Sequence, residues 1–328
     1  MSSRAESIGL ALWLVRAAKA SNADAVKFQL IIADELAAHD YKYYDLFKGL
    51  ELGADGWIEI VNLAKAIDIE IIFDIFGIHS LAISEKLGIQ TVKIHPTDFT
   101  NTALLRAVAA SPIVNKVIAG CGGAFANEIL NTLEILSATK SVTLLHGFQG
   151  YPTPNEQNCL ERLNALKSIS LPYRNKVSLG FADHADPCGF DATHLAAAAI
   201  GYGVTTLEKH LTLARCLKLE DYESALSPDQ LAEFIEIIRL CENSRGDKID
   251  SSNNFQLPPS EMKYRSSIAR HIVAARELTA GHCISSEDIC LKRTSCAAPI
   301  VSIDLVLGKI LAKDVLPNEP IILSSLAS

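Results

Sequence analysis

Short apolar, β-branched runs alternate with amphipathic stretches along most of the chain. The runs are ADAVKFQ (23–29), EIIFDIF (70–76), TVKIHP (91–96), KVIAGC (116–121), SVTLLHGF (141–148), KVSLGFADH (176–184) and TTLEKHLTL (205–213). Most are apolar on both faces, as strands are when helices cover one side of a sheet and other strands the other. Between them the 3.6-residue period predicts helices over 8–21, 56–68, 79–87, 102–110, 127–138, 159–166, 192–200 and 228–242. The last begins well, with Ser227 as N-cap and Pro228 at the first helical position.

Seven strands and eight helices fall one strand short of a (β/α)8 barrel. The chain opens on a helix, so the element missing is the first strand. Three readings stand open. The chain starts after that strand, residues 1–7 stand in for it, or the sheet is open and doubly wound and needs no closure. Beyond Asn243 the pattern breaks into SRGDKIDSSNNFQLPPS, a polar, Pro-containing linker. The expected organisation is a barrel domain over 1–245, a linker over 246–262 and a small second domain over 263–328. A module that small has little room for a core and gains stability by docking.

Composition narrows the class. Of 328 residues, 49% are hydrophobic and 21% charged, which excludes a disordered or fibrous chain. The net charge of −8 argues against nucleic acid as a partner. No apolar run reaches the ~20 residues of a membrane span, so no membrane partner is expected. The first twenty residues read as an amphipathic helix preceded by an acid, not as a leader. The eight cysteines form no CxxC pair, and reduced thiols in a cytoplasmic protein are the expectation.

In a barrel, function sits at the C-terminal ends of the strands. Polar residues gather there: Lys27 and Gln29; Asp74; Lys93, His95 and Thr97; Gly120, Gly122 and Gly123; His146 and Gln149; Asp183 and His184; Glu208, Lys209 and His210. A lone His is ordinarily a hydrogen-bonded core residue. His184 and His210, at the ends of adjacent strands, are placed to share a divalent metal with open positions for water or substrate. Lys27 alternates with Val26 and Phe28 and so faces the lumen. A lumenal lysine needs an anion: a phosphate or carboxylate ligand, or an ion pair with Glu208 or Asp183. Lys116 lies near the start of its strand and reads most simply as a solvated charge. Gly120-Cys121-Gly122-Gly123 is either a phosphate cradle or an ordinary strand–helix turn. Cys121 within it is a weak candidate for a catalytic thiol.

Several strings together resemble the sialic acid (N-acetylneuraminate) synthase family, NeuB-like. They are ADAVKFQ (23–29), LLHGFQGYPTP (144–154), GFADHAD (180–186), TTLEKHLTL (205–213) and EDYESALSPDQL (220–231). HIVAARELTAGHCISSEDICLKR (271–293) and LGKILAKDVLPNEPI (307–321) resemble its antifreeze-like (SAF) domain. The resemblance implies a TIM barrel followed by an SAF domain, in a domain-swapped homodimer. It implies condensation of phosphoenolpyruvate with an N-acylated amino sugar, N-acetylmannosamine or a relative, giving a nonulosonic acid and phosphate. It implies His184 and His210 as ligands of Mn²⁺ or Mg²⁺, and Lys27, Glu208 and Asp183 as the catalytic set. Lys27 and Lys116 then contact phosphoenolpyruvate, and Glu208 and Asp221 contact the sugar. Arg293 of the partner subunit then reaches the N-acyl group. The family's opening AEIGxNHxG-like strand is absent here. Its Ser-Thr-Gly strand end is Gly120-Cys121-Gly122, its Cys-Thr-Ser is replaced within Gly147-Phe148-Gln149-Gly150, and a Ser becomes Ala182. With those hydroxyls gone, Lys93, His95, Gln149 and backbone amides are the expected substitutes around phosphate. Two other readings remain: a sugar- or phosphate-binding relative without turnover, and a barrel lyase or aldolase using a lysine Schiff base.

Overall fold

The computed structural model describes residues 4–148, 150–189, 193–246, 257–298 and 300–327. The chain divides into two units, 1–246 and 247–328. Unit 1 runs α1 (Arg4–Ala20), β1 (Ala25–Gln29), α2 (Ala33–Leu36), α3 (Tyr44–Leu50), α4 (Gly53–Ala66), β2 (Glu70–Ile75), α5 (Ile78–Lys86), β3 (Thr91–Ile94), α6 (Thr102–Ala110), β4 (Lys116–Gly120), α7 (Ala126–Leu136), β5 (Ser141–His146), α8 (Arg162–Ser170), β6 (Val177–Asp183), α9 (His194–Gly201), β7 (Thr206–Leu211), β8 (Ala225–Leu226) and α10 (Pro228–Arg245). Among the described residues the eight strands are parallel and adjacent in sequence order, β1 through β8. The sheet curls into a (β/α)8-type barrel. A doubly wound sheet needs a reversal in strand order, so that alternative is overturned.

The strands' period of two builds two environments. Phe73, Val92, Ile94, Val117, Ala119, Leu144 and Phe181 point outward into the main core against the helices. Residues of the other parity point into the barrel, where Ile72, Ile118, Leu145 and Ala182 form a separate apolar cluster. Each fully buried Leu, Ile or Phe contributes about 1.5–3 kcal/mol, so this parity is strongly specified. The helices contribute matching stripes, such as Trp57, Ile60, Val61 and Ala64 of α4. At α10 the expected start holds: Ser227 caps it, with Gln230 returning a carbonyl oxygen to the Ser227 N–H at 3.0 Å.

The barrel is open along one seam. β1 pairs with β2, and β7 pairs with β6 and, over its last two residues, with β8. Among the described residues no ladder joins β1 to β7 or β8. Both seam strands are partly exposed along their length, whereas β3 is buried throughout. Residues 4–7 do not fill the seam, because they belong to α1; residues 1–3 lie outside the described set.

Other departures have local causes. α8 starts three residues later than expected, because Cys159 sits in the left-handed region at φ 45°. β8 is only two residues long and carries no periodic signal. In unit 2, α11 (Pro259–Ile268) occupies part of the stretch read as linker. It buries no residue, so no apolar stripe marks it, although Pro259 at its first position is a start signal. Unit 2 continues with the antiparallel pair β9 (His271–Ala274) and β10 (Ile289–Lys292). Its core includes Ile272, Leu278, Ile284, Val306, Leu311 and Ile321. Buried Asp288 organises the loop before β10, accepting from His282 Nε2 (2.8 Å), Ser285 N (2.8 Å), Ser285 Oγ (2.8 Å) and Arg276 (2.5 Å).

Candidate functional site

Four charged side chains of inward parity meet near the C-terminal ends of the strands. Lys93 on β3 donates to Glu208 Oε1 on β7 at 2.7 Å, and its Nζ lies 3.8 Å from Asp74 Oδ2 on β2. Lys27 on β1 lies 3.6 Å from the same Asp74 oxygen. Two lysines and two carboxylates give a formal charge of zero. Burial opposes ionisation of Glu208, but the Lys27 and Lys93 charges prevail and hold its carboxyl at about 2. Burial likewise works against the Lys27 ammonium, yet Glu208 and Asp74 leave it above the ordinary lysine value. An amine kept protonated in this way is a poor Schiff-base nucleophile, which removes the support for a lyase or aldolase using Lys27. Asp74 is 1% exposed and, among the described residues, its Oδ1 has no hydrogen-bond partner. That buried acceptor points to a donor on a ligand.

Above this lattice the rings of His184 and His210 stand 5.3 Å apart, centroid to centroid. His184 is held on three sides. Its Nδ1 donates to the Phe148 carbonyl at 2.7 Å, and its own carbonyl accepts from Thr153 N (2.9 Å) and Ser224 Oγ (3.0 Å). This tautomer leaves Nε2 as the lone-pair nitrogen. Burial lowers the His184 value, and burial followed by the neighbouring His184 brings His210 down to about 3. Both rings are therefore neutral near pH 7, the form that ligates metal. Among the described residues no cluster of three His, Cys, Asp or Glu side chains is close enough to hold an ion alone. The pair fits an ion that takes its remaining ligands from water or substrate. Asp221 lies 3.8 Å from His210 Nδ1, too far for a hydrogen bond, and its φ of 59° aims it from a strained turn. Burial raises its carboxyl value.

Some expected residues stand elsewhere. Asp183 shares the outward parity of Phe181. It is fully buried outside the lumen and pairs with Lys209 at 3.3 Å. It does not join the inward cluster. His146 also faces outward and bonds the Asn158 carbonyl at 2.7 Å, as a satisfied core histidine. Lys116 is the first residue of β4, at the opposite end of the barrel from the histidines. Arg293 is exposed in unit 2, and Gln149 lies outside the described residues. Burial pushes the Cys121 thiol up to about 12, so it is no nucleophile at neutral pH. Two amides of the glycine turn are already used, Cys121 N by Leu145 O and Ala124 N by Cys121 O, which weakens its reading as a cradle. Sequence reasoning missed Tyr151, whose ring stacks edge-on at 4.8 Å from His184 and 5.5 Å from His210. Burial, then Asp221, raises its phenol. Its one signal was the aromatic in the loop after β5.

Comparison with known proteins adds three findings. The NeuB family model matches residues 14–250, and the SAF domain model matches residues 269–327. The N,N'-diacetyllegionaminic acid synthase of Campylobacter jejuni is 27% identical over 331 residues, covering 95% of this chain and 94% of its own. The mouse N-acetylneuraminate-9-phosphate synthase is 23% identical over 301 residues, covering 87% and 79%. Among solved structures, the N-acetylneuraminic acid (sialic acid) synthetase of Leptospira borgpetersenii, in complex with citrate, superposes with a TM-score of 0.67 at 25% identity, covering 79% of this chain and 87% of its own.

Proposed function

This chain belongs to the NeuB family, and from that premise we propose that it condenses phosphoenolpyruvate with an N-acylated amino sugar to form a nonulosonic acid. The observation that carries the reading is the Lys27–Asp74–Lys93–Glu208 lattice beneath the paired imidazoles of His184 and His210. A new bond joins C3 of phosphoenolpyruvate to the sugar's aldehyde carbon. Water adds at C2, and the phosphate departs with its bridging oxygen, leaving a 2-keto acid.

The residues divide this work by charge and position. Lys27 and Lys93 neutralise the carboxylate and phosphate of the donor. Glu208, ionised at any working pH, and Asp221 accept hydrogen bonds from sugar hydroxyls. His184 and His210 hold a divalent ion, Mn²⁺ or Mg²⁺, which supplies Lewis-acid polarisation of a carbonyl when bound. Tyr151 closes one side of the imidazole pair against water. We extend the proposal to a homodimer in which Arg293 of a second copy recognises the N-acyl group with its planar fork.

Phosphate release from phosphoenolpyruvate tests it, with Mn²⁺ and N-acetylmannosamine or a di-N-acetylated hexosamine, against a no-sugar blank. Sugar-dependent release is expected, and His210→Ala and Lys27→Met each lower it at least about 100-fold. Absence of release with every N-acyl hexosamine overturns the proposal. Saturable sugar binding without release favours the second reading, a binding protein, to which the open seam and the formally neutral lattice also lend weight.

A further inference from the structure

β6 ends at Asp183, and the β6–β7 ladder ends with the pair Asp183 and Lys209. The next residue of each strand is a mouth histidine. His184 leaves the sheet, while His210 pairs onward with Ala225 of β8. The two imidazoles therefore stand where the strands beneath them part, yet their ring centroids are only 5.3 Å from each other.

On the outer face of the barrel one side chain spans this divergence. Lys209 Nζ lies 3.3 Å from Asp183 Oδ1 and donates to the Ala185 carbonyl at 3.2 Å. Those two residues stand on either side of His184. Asp183 Oδ1 also accepts from Ala185 N at 2.8 Å, which closes an Asx-turn with His184 at its centre. A single ammonium on β7, one residue before His210, thus grips the chain before and after His184. The bonds of His184 to Phe148, Thr153 and Ser224 tie it to loops. Lys209 ties it to the strand that carries its partner ring.

Stability alone does not call for this pair. Its side chains are 2% and 0% exposed, and Asp183 Oδ2 has no hydrogen-bond partner among the described residues. A buried ion pair with an idle oxygen gives a fold little that two packed apolar side chains would not. Apolar side chains, however, have no directed bonds with which to hold a turn to a neighbouring strand.

We propose that Asp183 and Lys209 are positioning residues, a clamp on the outer face of the barrel that sets the spacing and orientation of the two imidazoles on its inner face. The use made of that spacing rests on the metal-holding role proposed for His184 and His210. The clamp acts on the backbone beneath the rings and leaves their nitrogens free for a ligand.

Two readouts on the full chain test this without turnover: Mn²⁺ affinity, from the electron paramagnetic resonance of the free ion, and the nuclear Overhauser effect between the two imidazoles. Asp183→Leu/Lys209→Met removes both charges together and leaves no lone charge buried. It is expected to melt within about 5 °C of the unaltered chain. It is also expected to bind Mn²⁺ about 10–100-fold more weakly and to lose the Overhauser contact. Asp183→Asn keeps an oxygen for Ala185 N and Lys209, and should bind within about threefold of the unaltered chain, short of the loss from a missing outer partner. A purely structural pair would shift the melting temperature and leave the affinity and the Overhauser contact of the folded chain unchanged, and that result overturns the proposal. An Asp183→Asn loss as large as that of the double variant overturns it too. If the unaltered chain binds no Mn²⁺, the metal-holding role falls, and the Overhauser contact alone decides: lost in the double variant and kept in Asp183→Asn supports the clamp, and any other pattern overturns it. Should the double variant not fold, Asp183→Asn/Lys209→Gln, closer in shape, takes its place with the same expected losses.

Discussion

Asp74 spends one oxygen on two lysines and leaves the other buried without a partner among the described residues. Its charge makes the lattice formally neutral, so an incoming anion must compete with carboxylates already in place. Removing that charge changes the balance by about 1–3 kcal/mol at the separations involved, using an effective dielectric of ~20. On the proposed function, Asp74→Asn is therefore expected to bind phosphoenolpyruvate about tenfold tighter or more by isothermal titration, while the lost acceptor weakens sugar binding. Gly147 makes a different point at the same scale. A Cβ there would lie 2.7 Å from the Ala182 carbonyl oxygen and 2.8 Å from its Cβ, and backbone cannot step aside cheaply. Gly147→Ala should cost about 1–3 kcal/mol in denaturant unfolding. It should also disturb the mouth, since it pushes the end of β5 away from β6, which leads into His184.

Among the elements, the strands were the most legible. Seven of them are long enough to show their pattern, most of them apolar on both faces, whereas two-residue β8 is recognisable only from its pairing with His210 and Leu211. Helices with a clear stripe were found nearly residue for residue, as at α6. α2 and α3 passed unnoticed; they are short, and α3 buries nothing. At the site, Lys27, Lys93, Glu208, His184 and His210 were legible because their parity sends them inward. Asp183 and His146 stand outside the lumen for the same reason: each is a polar strand-end residue one step out of phase, beside Ala182 and Leu145 that do face inward. The alternation alone would have separated them. Tyr151 lies in a loop, where no period helps.

For the molecule as a whole, acid should act first on the loop that Asp288 organises. Hydrogen bonds from His282 and Ser285 hold its carboxyl well below the ordinary value. The unfolded chain binds its proton near ~3.9, so this stabilisation is complete above about pH 5 and is lost as pH falls through 4 and below. Arg276 is largely exposed and adds little to it. Thermal melts of unit 2 should decline over that range, and Asp288→Ala should lower stability by about 2–4 kcal/mol at neutral pH while flattening the acid limb.

His184 also links two parts of the mouth. Its ring is tied to Phe148, and its carbonyl to Thr153 and Ser224, so the loops after β5 and β7 share one anchor. Neither can swing without breaking a bond that orients the imidazole. Exchange of substrate for product must then proceed by a concerted motion. In relaxation-dispersion measurements, Thr153 and Ser224 should report one common rate in the microsecond-to-millisecond range, and Ser224→Ala, which frees the loop after β7 from the His184 carbonyl, should split it into two.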